Sequence, residues 1–172
     1  RPVDFNKRIK LLEELKLREK ENHSAFIQDL LNRWVDGKIK LYVTYKGLNF
    51  RRSQEPLFEG GNYLPIDASD GVGEYVCAFA RQNGKAWALV AVPRLITQLL
   101  KPERPPLGEE TWGSSGLVLP EDAPECWLNS FTAEELKVIP SEGRRLLPLA
   151  STFQSFPLAL LTPSKSETSD LR

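Results

Sequence analysis

Phe5, Ile9, Leu12 and Leu15 recur at helical spacing with Lys, Arg and Glu between them, and Asp4 stands where a helix cap belongs. The pattern predicts an amphipathic helix to about Glu21. Asn22-His23-Ser24 then breaks it, with Ser24 expected to cap a second helix whose apolar face is Phe26, Ile27, Leu30, Leu31 and Trp34. Asp36-Gly37 is expected to end that helix. The next stretch has two readings. Ile39, Leu41, Val43 and Tyr45 alternate with Lys40, Tyr42 and Thr44 as in a half-buried strand, whereas Leu41, Tyr45, Leu48 and Arg52 fall at helical spacing. Taken alone the segment reads as strand, and Gly47 weakens either element.

Beyond Pro56 the pattern changes. Short β-rich runs are expected at 63–66, 74–81 and 86–92, then at 116–119, 125–129, 144–149 and 157–161, with turn residues between them. Asn83-Gly84 between Phe79 and Trp87 predicts a hairpin, since both residues tolerate positive φ. Residues 95–100 suggest one helical turn, and 101–110, rich in Pro and Glu, an exposed loop. The tail 164–172 is polar and is expected to be flexible. The fold class expected is therefore α+β: about three helices in residues 1–55, then an antiparallel, sandwich-like β domain over 56–163.

Composition narrows the function. The 172 residues carry 23 Lys plus Arg against 23 Asp plus Glu, so no net field draws the chain to nucleic acid or to an anionic membrane. No apolar run reaches the roughly 18–20 residues of a membrane-spanning helix. Cys77 and Cys126 are too sparse for a disulfide framework or metal motif, so reduced, partly buried thiols in a cytoplasmic protein are expected. The chain begins at Arg1 and has no methionine, which suggests a piece of a longer polypeptide.

Candidate chemistry is sparse. His23, the single histidine, sits in a polar break with no nucleophile elbow near it, and is read as an exposed loop residue. No carboxylate pair is singled out by its setting for glycosidic chemistry. No spacing gathers metal ligands, and Glu59-Gly-Gly-Asn62 and Gly71-Val-Gly73 lack the lysine and the fuller pattern of phosphate cradles. No cofactor is expected. Arg51-Arg52 could clamp an anion, but cations at a helix C-terminus are explained by its dipole. Trp34, Trp87, Trp112 and Trp127 are read mainly as core; Trp112, after the Pro/Glu-rich loop, is the candidate exposed platform for sugar stacking, with Tyr63 as a second exposed aromatic.

Several motifs occur in order across almost the whole chain: Arg1-Pro-Val-Asp-Phe5, Asp36-Gly-Lys-Ile-Lys-Leu41, Leu57-Phe-Glu-Gly-Gly-Asn-Tyr-Leu-Pro65, Ala78-Phe-Ala-Arg81, Val92-Pro-Arg-Leu95, Trp112 with Leu117-Val-Leu-Pro120, and Phe156-Pro-Leu-Ala-Leu-Leu161. Together they resemble the C-terminal region of the maltooligosyltrehalose synthases, members of the α-amylase superfamily. Gly47, 101–110 and 132–143 depart from that pattern. The resemblance favours helix for 38–52. It implies an intramolecular glucosyltransferase that converts the reducing-end α-1,4 linkage of a maltooligosaccharide to α,α-1,1, using two carboxylates about 5–5.5 Å apart in a (β/α)₈ barrel. Neither carboxylate would lie on this chain, which is expected to be inactive alone. By the same resemblance residues 4–53 would be helices beside the barrel, and Arg1 and Asp4 would lie near substrate. The partners implied are the upstream barrel of the same polypeptide and, through it, maltooligosaccharide. Without the barrel, the face containing Ile9, Leu12, Phe26, Leu30 and Trp34 is expected to drive self-association. A carbohydrate-binding module and a protein-interaction domain are the alternatives.

Overall fold

The structure is a computed structural model describing residues 3–100 and 104–164, in which helices come first and antiparallel strands follow. The α+β order is as expected. Arg1 and most of the tail lie outside the described residues, so the expectations placed on them do too. The chain divides after Arg52 into two compact units.

In the helical unit, α1 (Phe5–Glu21) is capped by Asp4, whose Oδ1 accepts from the Lys7 N–H at 2.9 Å. Asn22, rather than Ser24, then serves two helices. Its N–H donates to the Arg18 carbonyl to close α1, and its Oδ1 accepts from the Ala25 N–H at 3.0 Å to open α2 (His23–Asn32). A tight turn over Trp34–Asp36 ends on Gly37, whose φ of 78° suits a residue without Cβ. Asp36 Oδ1 accepts from the Lys38 N–H at 2.8 Å, and α3 runs over Lys38–Ser53. The ambiguous segment is helix. Leu15, Phe26, Ile27, Leu30 and Tyr42 are buried, with the Phe26 and Tyr42 rings edge to face at 5.1 Å.

Polar groups lock these helices together. Arg18 Nη1 meets Asp29 Oδ2 at 2.8 Å, and Lys38 Nζ meets Glu14 Oε1 at 2.8 Å. Glu19 Oε1 accepts from both the Tyr42 hydroxyl at 2.9 Å and Lys46 Nζ at 2.8 Å. The hydrogen bond from Arg18 holds the Asp29 carboxyl below the ordinary range. Burial, and then the Glu19 charge, push the Tyr42 phenol far above its usual value. The perturbed groups here are thus accounted for by helix packing.

The β unit begins with α4 (Glu55–Gly60), which takes Pro56 in its first turn, where no N–H is needed. A six-stranded antiparallel sheet has the order β1 (Asn62–Pro65), β2 (Val76–Asn83), β3 (Ala86–Pro93), β9 (Ala159–Pro163), β5 (Cys126–Asn129), β6 (Glu135–Lys137). A three-stranded sheet has the order β4 (Gly116–Leu119), β8 (Arg144–Pro148), β7 (Ile139–Ser141). Short helices α5 (Gly108–Trp112) and α6 (Leu149–Thr152) complete the unit. The hairpin between β2 and β3 is present, with Asn83 paired to Ala86 and only Gly84, at φ 58°, left-handed. Its two-residue turn is therefore Gly84-Lys85, not Asn83-Gly84, and a glycine at the first central position matches a type II′ turn.

The last strand, β9, is inserted between β3 and β5, so the end of the described chain supplies the middle of the large sheet. Its residues alternate: Ala159 and Leu161 face the main core, with Leu160 buried between them. Both sheets feed one apolar core. Trp87, Leu89, Trp127 and Leu161 come from the large sheet, Leu117, Leu119 and Leu147 from the small one, and Trp112, Leu149 and Phe153 from the connecting segments. Residues 132–143, which carried no sequence reading, supply the edge strands β6 and β7 of the two sheets.

Candidate functional site

Of the residues singled out by sequence, Asp4 is an exposed helix cap whose Oδ1 is already engaged by Lys7. Trp112 has to be corrected: it is only 1% exposed, its indole Nε1 donates to the Pro106 carbonyl at 2.9 Å, and its ring lies 5.2 Å from that of Phe153. Neither face is open to a sugar. Pro106 of the Pro/Glu-rich stretch meets this indole instead of presenting it, and from Gly108 on the stretch is helix α5 rather than the exposed loop expected. His23 is also not a loop residue; it opens α2 and is half-buried. Arg51 and Arg52 sit in the last turn of α3, where the dipole favours cations. Both cysteines are free thiols, but Cys77 is exposed rather than partly buried.

Tyr63 is the aromatic that does reach solvent. It is 56% exposed on the edge strand β1, stacked on Phe79 of β2 with ring centroids 5.1 Å apart. The stack is set by register: Tyr63 faces Arg81 and Pro65 faces Phe79 across the β1–β2 ladder. Period two puts all four on one face of the sheet. On the same strand, Arg81 Nη2 donates to the Phe58 carbonyl at 2.6 Å and Asn83 Nδ2 to the Pro56 carbonyl at 3.2 Å, which ties α4 to β2. Gly61 follows α4 because a Cβ there would run into the carbonyl oxygens of Leu57 and Gln82.

A groove of about 630 Å³ opens at the β2–β3 turn, lined by Gln82, Lys85, Trp87, Asp122, Pro124 and Glu125 among others. Trp87 forms apolar wall, being 5% exposed and edge to face with Trp127 at 6.4 Å. Gln82 Nε2 donates to Asp122 Oδ2 at 2.7 Å, and Arg145 Nη2 meets Glu125 Oε1 at 2.5 Å. Each carboxylate thus has a partner inside the protein. Residues on the β2–β3 hairpin and the 121–125 loop meet only through tertiary folding, so no local signal could have shown this groove. Among the described residues no three His, Cys, Asp or Glu groups come together to hold a metal, and no helix is long and apolar enough to cross a membrane. Compared with models of known protein families and with curated proteins, the chain matches none.

Proposed function

We propose that this chain is the non-catalytic C-terminal part of an enzyme resembling maltooligosyltrehalose synthase, a cytoplasmic isomerase of glucan ends, with its helical unit docked on an upstream catalytic barrel. The ordered motifs carry the family reading, since no family model supports it independently. The structural observation that supports docking is the apolar surface of the helical unit. Phe5 is 69% exposed, Trp34 61% and Val35 84%, with Ile9 and Leu48 exposed as well. Phe5 and Ile9, four residues apart on α1, share a face. Phe26 and Leu30, expected on that outer face, are instead buried inside the unit. Of these, Phe5 with Ile9 and Trp34 with Val35 are neighbours, and exposed apolar pairs of this kind are what a docking partner would cover.

The chain is proposed to work with no cofactor, nucleic acid or membrane, and to reach maltooligosaccharide through the barrel. The decisive assay mixes it with the separately expressed barrel and follows conversion of maltopentaose to a non-reducing product. Activity is expected only with both pieces present. Full activity from the barrel alone, or none from the mixture with a folded barrel, would sink the reading. Alone, the chain is expected to self-associate through the same surface. In sedimentation velocity its mean mass should rise with concentration, and a Trp34→Glu, Val35→Ser double variant should stay monomeric. A wild-type chain that is monomeric at high concentration would count against the surface.

A carbohydrate-binding module is the second reading, favoured by the open Tyr63 ring rather than by Trp112. Saturable maltooligosaccharide binding lost in Tyr63→Ala would support it.

A further inference from the structure

We infer that Asn83-Gly84 is a site of spontaneous chemical modification, at which Asn83 loses its side-chain amide and becomes aspartate or isoaspartate. Asn83 is exposed at the end of β2, and the Gly84 N–H makes no hydrogen bond to another described residue. Beyond its two chain neighbours, nothing lies within 4 Å of where a Gly84 Cβ would be, so that side of the turn is open. In the reaction, the Gly84 backbone nitrogen, losing its proton, attacks Asn83 Cγ. A C–N bond forms, the Cγ–Nδ2 bond breaks, and ammonia departs with that proton, leaving a five-membered succinimide. Water then opens the ring at either carbonyl, giving aspartate or isoaspartate. Water is the sole co-reactant and no electron is transferred.

The position makes the change consequential. Asn83 Nδ2 is one of two side-chain donors that tie α4 to β2, the other being Arg81. A carboxylate in its place cannot donate to the Pro56 carbonyl and repels it. Isoaspartate also adds a backbone methylene directly beside the Asn83–Ala86 pair, in a turn whose two-residue length fixes the strand register. Modification should therefore loosen α4 and the hairpin that borders the groove.

The test is to incubate the folded chain at mildly alkaline pH and follow the peptide containing residue 83 by mass spectrometry and by enzymatic methylation of isoaspartate. The chain unfolded in denaturant serves as the reference. The expected result is isoaspartate at position 83 in the folded chain, absent in Asn83→Gln, with faster proteolysis around residues 55–60 in the modified fraction. Conversion in the unfolded chain alone would overturn the proposal, because the turn would then be protecting the site. Conversion without any change in proteolysis would overturn its structural consequence.

Discussion

Trp112→Ala is expected to destabilise the β unit by about 3–5 kcal/mol, the range for removing a fully buried tryptophan. Two losses combine. The indole fills core space beside Phe153, and its N–H satisfies the Pro106 carbonyl, which the variant leaves without that donor. Trp112→Phe keeps much of the volume and loses the hydrogen bond, so its cost should fall between wild type and Trp112→Ala. Urea unfolding, read by near-ultraviolet dichroism, gives both values. An exposed stacking platform would behave oppositely. Its truncation would change stability by no more than about 0.5 kcal/mol, as for other surface positions, while abolishing any response to sugars.

That contrast shows where the sequence was legible. The Pro/Glu run before Thr111-Trp112-Gly113 reads as exposed because its neighbours in sequence are polar. The partner that buries the ring, Phe153, lies far along the chain. Local signals worked where the partner is also local. Gly84 marked the β2–β3 hairpin, and the Phe26, Ile27 and Leu30 spacing marked a real buried stripe on α2. Lys38–Ser53 was ambiguous because its apolar residues satisfy both periods, and position 42 shows why. In the strand reading Tyr42 belongs to the polar set, yet here it is fully buried against Phe26, with its hydroxyl satisfied by Glu19. An aromatic with a polar tip can take either side until its partner is known. The edge strands β6 and β7 escaped for a different reason. They are three residues each, with Glu135, Lys137 and Pro140 among them, as edges that discourage further pairing require. The features that make a good edge erase the strand signal.

Arg145 carries the second large effect. From β8 its Nη1 donates to the carbonyls of Pro120 and Glu121 at 2.6 and 2.8 Å, and its Nη2 to the Ala123 carbonyl at 2.8 Å and to Glu125. One planar fork thereby holds the turn that joins β4 to β5. The carboxylate contributes little, since Glu125 is 63% exposed and ion pairs of that kind contribute about 0–1 kcal/mol. The carbonyls dominate, because a hydrogen bond to a charged group contributes about 1.5–3 kcal/mol net, and these three share one guanidinium and so do not add in full. Arg145→Ala is accordingly expected to cost about 2–3 kcal/mol, and Glu125→Gln less than about 0.5 kcal/mol. Arg145→Lys should recover little, as a single ammonium cannot reproduce the fork that spans three carbonyls. The same residues, Asp122 to Glu125, form one wall of the groove, so Arg145→Ala should also speed amide exchange at Ala123 and Glu125 while leaving the paired core of β2 and β3 unchanged. Equal losses for Arg145→Ala and Glu125→Gln would mean that the ion pair, not the carbonyl clamp, holds this wall in place.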